Sequence, residues 1–105
     1  MNILEVTTEL KESIKGKIQN EPNKIIIYGS FARNEENKNS DLDILIIFNS
    51  QVDWKIKDTV FEICSNLNMK YDIWIDISFI SLSEMDSIRG KQPYIQNALH
   101  EGIAI

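Results

Sequence analysis

Apolar side chains fall first at Ile3, Val6, Leu10, Ile14 and Ile18, intervals of three and four that place them on one helical face. Gly16 weakens the last turn of this predicted helix, and Glu21-Pro22-Asn23 closes it. The period then changes. Lys24 to Tyr28 is a short β-branched run without polar alternation, the pattern of a strand covered on both faces. A polar loop, Asn34 to Ser40 (NEENKNS), separates it from a second buried strand, Asp41 to Phe48 (DLDILIIF). Ser50 and Asp53 form a predicted capping box for a helix in which Ile56, Val60, Ile63, Cys64 and Leu67 share a face. Residues 71–80 alternate, with Ile73, Ile75, Ile77 and Phe79 on one side of a third strand and Asp72, Trp74, Asp76 and Ser78 on the other. Ser81 with Glu84 opens a short helix; Gln92-Pro93 starts the last one and Gly102 ends it. This order of elements predicts an α/β or α+β domain layered around a small sheet.

Length bounds that picture. The 105 residues make one domain, residues 1–105, with no repeat, low-complexity tract or Pro/Gly-rich linker. The formal net charge of −5 argues against broad attachment to nucleic acid or to an anionic membrane, which a basic surface would need. Cys64 is the single cysteine, so internal disulfides and multi-cysteine zinc modules are excluded. No apolar run reaches 18 residues, and MNILEVTTELKESIK lacks the charge and hydropathy pattern of a signal peptide. The expectation is a soluble, cytoplasmic protein.

Chemistry concentrates in one stretch. Gly29 and Ser30 directly follow a buried strand and lead into a helical turn, where free amides face whatever lies beyond the strand. Glycine lets a phosphate approach the backbone, and the Ser30 hydroxyl adds a donor. Asp41 and Asp43 are two apart, so on a strand both carboxylates leave the same face. Two acids side by side on an apolar strand repel unless cations lie between them, and a pair of magnesium ions satisfies that need with few protein ligands. Asp76 is the candidate third carboxylate, with Asp72, of the same parity, as the alternative. A phosphate cradle beside converging acids is the layout of two-metal phosphoryl or nucleotidyl transfer. The bland readings are a strand-ending turn at Gly29-Ser30 and a loop-exit capping pair at Asp41 and Asp43.

Gly29-Ser30-x-Ala32, the polar loop, then Ser40-Asp41-x-Asp43 resembles the signature of the minimal nucleotidyltransferases (MNT) of the polymerase-beta-like superfamily, of the MntA antitoxin type. The resemblance extends through KYDIWIDISFISLSE, similar to the family's third strand and the helix start after it, and QPYIQNALHEGIAI, similar to its closing helix and short strand. It implies a mixed sheet of three or four strands packed against helices. It implies transfer of a nucleoside monophosphate, usually AMP from ATP, to an acceptor hydroxyl with Mg2+, and a HEPN-domain toxin as partner, with a toxin tyrosine as acceptor. Asn34 stands where many members have glycine, a substitution a left-handed backbone tolerates. Phe31 occupies a slot often filled by arginine, which Arg33 could replace.

The remaining residues read more quietly. Trp74 is a sheet-covering aromatic before it is a base-stacking platform; Trp54 and Tyr94 are surface or interface groups. Lys38 and Arg33 belong to a solvated turn, His100 to a helix end, and Cys64 to the core. A polymerase or tRNA-modifying relative needs further domains to hold its nucleic acid, so a protein or small-molecule acceptor is expected and no stable nucleic-acid binding. The competing class is a catalytically idle module that neutralises a toxin by contact; an aminoglycoside-type modifier ranks last, since it needs extra substrate-binding structure.

Overall fold

The computed structural model describes residues 2–19, 21–37, 40–87 and 89–105. Helix α1 spans Ile3–Lys17, with the Asn2 side chain accepting the Leu4 amide at its start. Ile18 turns extended there, ending the helix before the Glu21-Pro22-Asn23 stop. Strands β1 (Lys24–Tyr28) and β2 (Leu42–Phe48) follow. Helix α2 covers Trp54–Tyr71, β3 Ile75–Ser81, a single 3-10 turn Leu82–Glu84, α3 Pro93–Glu101 and β4 Ile103–Ala104.

The sheet order is β3-β2-β1-β4. β2 runs parallel to β3 and antiparallel to β1, which in turn pairs antiparallel with β4. A parallel neighbour needs a crossover, and α2 supplies it. One sheet face (Ile25, Ile27, Leu42, Ile44, Ile46, Phe48) packs on Val6, Leu10 and Ile14 of α1 and Val60, Ile63, Cys64 and Leu67 of α2. The other (Ile26, Tyr28, Leu45, Ile47, Ile80) packs on Ile95 and Ala98 of α3. β2 is thus covered on both sides, which is why DLDILIIF shows no alternation beyond its acids. Gly102 ends α3 against the sheet: a Cβ there would lie 2.2 Å from both the Ala98 carbonyl oxygen and Ile26 Cγ2.

Three expectations need correction. The cap of α2 is Asp53, whose side chain accepts the Ile56 amide at 3.0 Å, and Ser50 opens no helix. The helix also takes in Tyr71, which the alternation of residues 71–80 assigns to the third strand. It stops at Asp72, left-handed with φ 52°, a conformation aspartate tolerates better than most residues. β3 therefore begins only at Ile75, and Asp72 and Trp74 lie outside it. Finally, the capping box of Ser81 and Glu84 forms, but it opens one 3-10 turn rather than a helix.

Candidate active site

β1 ends at Tyr28, and Gly29 bends the chain with φ 74°. The next residues wind one turn: the Ala32 amide donates to the Gly29 carbonyl at 3.1 Å, and the Glu35 amide to that of Ser30 at 2.9 Å. Asn34 closes this turn in the left-handed region, φ 57°, as expected of its place in the motif. The turn's bonds begin with the Ala32 donor, so the amides of Ser30 and Phe31 precede its first rung.

Register decides which acids meet. Asp43 of β2 pairs with Tyr28 on one side and with Asp76 of β3 on the other. Paired residues of neighbouring strands project from the same face, so Tyr28, Asp43 and Asp76 form a row across the sheet on its α3 side. Gly29 lies against this row. A Cβ on it would stand 2.3 Å from Asp43 Oδ2 and 3.2 Å from Cγ, a space only glycine leaves open.

The electrostatics follow. Asp43 is partly buried, and its carboxyl is pushed above the usual range, first by that burial and then by the charges of Asp76 and Asp41. A hydrogen bond to Asp76 adds to the upward shift; the Arg33 charge opposes it. The Tyr28 hydroxyl is likewise raised by burial and by Asp43 and Asp76, against the lowering effect of a hydrogen bond with Ser78. A carboxyl held up by its acidic neighbours is one whose charged form wants a cation nearby.

Asp41 stands apart from the row. It is exposed, one residue before β2, and reaches Asp43 only through its charge. Among the described residues no three acidic, histidine or cysteine side chains are gathered closely enough to enclose an ion. The carboxylate pair with Asp41 at its edge suits a hard cation that brings oxygen ligands with it, rather than an all-protein cage. Ser30 lies in the turn, half-buried. Asp72, the alternative third acid, caps α2 and does not enter the row.

Of the other residues, Arg33 pairs with Glu35 and Glu101, each at 3.1 Å. Lys38 lies outside the described residues. Trp74, expected as a sheet-covering aromatic, is 64% exposed. Trp54 is exposed, while Tyr94 packs at the edge of the α3 core. Cys64 is buried, and burial pushes its thiol up to about 11. Tyr28 and Ser78 join the row without a motif to mark them. Ser78 shares the strand parity of Asp76, which is legible in the sequence; the position of Tyr28 depends on its pairing with β2.

Residues 7–105 match the family described as "Polymerase beta, Nucleotidyltransferase". A putative protein adenylyltransferase of Methanocaldococcus jannaschii, MJ0141, is 33% identical over 75 residues, covering 71% of this chain and 76% of its own. A second from that organism, MJ0604, is 31% identical over 102 residues, covering 97% and 96%. Among solved structures, a toxin–antitoxin crystallised with AMP-PNP superposes with a TM-score of 0.62 at 17% identity, covering 98% of this chain and 72% of that one, a likeness of fold. The chain belongs to the polymerase-beta nucleotidyltransferase family, and the mixed sheet packed between helices is that family's fold. Among the described residues no helix is long and apolar enough to cross a membrane.

Proposed function

We propose that this family member is a protein adenylyltransferase that moves AMP from ATP to a hydroxyl, a tyrosine of a partner HEPN toxin, and thereby acts as an antitoxin. The observation that carries the reading is the pairing of Asp43 with Asp76 beside a glycine bend whose Cβ space opens onto the Asp43 carboxylate. The names of the two archaeal relatives and the toxin–antitoxin with AMP-PNP support the substrate and the partner.

In this reading the triphosphate tail lies across the Gly29-Ser30 bend, with backbone amides and the Ser30 hydroxyl donating to phosphate oxygens. Asp43 and Asp76, with Asp41 beside them, would hold Mg2+, which when bound neutralises phosphate charge and makes the acceptor hydroxyl more acidic. The acceptor oxygen forms a bond to the α-phosphorus, the bond to pyrophosphate breaks, and Asp76 takes the hydroxyl proton. The protein's contribution is position and charge, which dominate phosphoryl transfer generally.

The test uses ATP labelled at the α-phosphate, Mg2+ and a HEPN toxin as acceptor. Wild type is expected to label the toxin, and Asp43→Asn and Asp76→Asn to fall by at least about 100-fold with unchanged circular dichroism. Labelling by Asp43→Asn at the wild-type rate would overturn the assignment. A wild type that binds and silences the toxin without labelling it would establish the contact-only alternative instead.

A further inference from the structure

The Gly29-Ser30 bend opens into a single turn, and a lone turn is unstable in water because it fixes several dihedrals for few hydrogen bonds. Side chains hold it on two sides. Phe31 and Ala32 pack against the core shared by α1 and α2. Arg33 ties it elsewhere. Its amide donates to the carbonyls of Gly29 and Ser30, at 3.3 and 3.2 Å, so its backbone is part of the bend. Its guanidinium donates through Nη1 to Glu101 Oε2 and through Nε to Glu35 Oε2, each at 3.1 Å. Glu101 is a fixed point. It is the last residue of α3; the next amide, of Gly102, donates to the Ala98 carbonyl at 2.9 Å, and Ile103 pairs with Ile27 of β1. The bend, Arg33, Glu101 and β4 therefore close a ring that returns to β1 just before Gly29.

We infer that Arg33 is a positioning residue for nucleotide binding: bridged to Glu101, it holds the Gly29-Ser30 bend in the shape that receives the triphosphate. This rests on the adenylyltransferase reading and adds to it the device that sets the bend. The side chains of the bridge are 43% and 44% exposed, and a pair so open to water adds little to global stability. Its effect falls instead on the short turn it spans, whose amides must be ordered before a phosphate arrives. Two carboxylates engage the guanidinium through different nitrogens and so fix its plane, which the point charge of a lysine does not. The rival role for this cation is direct contact with a phosphate. That contact would leave Glu35 and Glu101 unpaired beside the triphosphate they repel. The two roles predict opposite consequences of removing the Glu101 charge.

The test measures the affinity for AMP-PNP with Mg2+ by calorimetry. Glu101→Gln removes the anchoring charge and keeps Arg33. Positioning predicts binding about three- to fivefold weaker, the scale of one exposed charge pair, and Arg33→Met should lose at least as much. Phosphate contact predicts tighter binding by Glu101→Gln, since the arginine is released to the ligand. The exchanged pair, Arg33→Glu with Glu101→Arg, rebuilds the bridge in the opposite sense and should return affinity to within about twofold of wild type. In turnover each single variant should raise KM for ATP, while kcat, KM for the acceptor and the urea midpoint stay close to wild type. Glu101→Gln binding as tightly as wild type, or more tightly, would overturn the inference, as would an exchanged pair no better than Arg33→Met. Failure of the adenylyltransferase reading looks different: wild type itself then binds no AMP-PNP, and the positioning role falls with that reading.

Discussion

Replacing Gly29 by alanine puts two separable loads on the fold. The first is backbone: at φ 74° an L side chain costs about 1–2 kcal/mol. The second is contact, because the new Cβ would stand 2.3 Å from Asp43 Oδ2, where ordinary packing begins at 3.4 Å. The carboxylate must retreat by about 1 Å, and overpacking of that kind costs about 1–3 kcal/mol. Together they predict a melting temperature lower by about 10–20 °C for a domain of this size. Displacing a catalytic carboxylate by that distance predicts a transfer rate down by about 100-fold. A double-mutant cycle isolates the contact. In an Asp43→Ala background the carboxylate is gone, so Gly29→Ala should cost only its backbone share, and the two substitutions should be coupled by about 1 kcal/mol or more in chemical denaturation. Additive costs, or a Gly29→Ala variant with wild-type transfer, would refute the claim that this bend is shaped around Asp43.

Three further outcomes are expected. With chelator present, the raised Asp43 carboxyl means that the native state holds a proton longer than the unfolded chain does. Its contribution is therefore lost as pH climbs through the interval above the ordinary carboxylate value, and Asp76→Asn should lessen that loss and gain roughly 0.2–1 kcal/mol at pH 7 in urea titrations. Asp53→Ala removes the cap of α2 and should cost about 1 kcal/mol in the same titration while leaving transfer intact. Cys64, with its thiol at about 11, should resist iodoacetamide at pH 8 in the native protein and react on unfolding; rapid native labelling would show the α2 face to be open.

Much of this protein is written in local pattern. Helical spacing fixed the faces of α1 and α2, β-branched runs placed β1 and β2, and Pro93 and Gly102 bounded α3, because each signal depends on a few consecutive side chains. The glycine–serine bend, the left-handed Asn34 and the candidate acids Asp41, Asp43 and Asp76 are legible in the same way, through conformational preference and spacing. The stretch 71–74 misled, since alternating residues there serve equally as a helix end and its exit, and only packing of α2 settles the choice.

What no local pattern could supply is register. That Asp76 rather than Asp72 sits beside Asp43, and that Tyr28 flanks it on the other side, follows from how β2 pairs with strands 15 or more residues away along the chain. The chain specifies which groups are available through short-range sterics and polarity. Their meeting is decided by hydrogen-bonded strand alignment and two-sided burial of β2, which exist only once the whole sheet has formed.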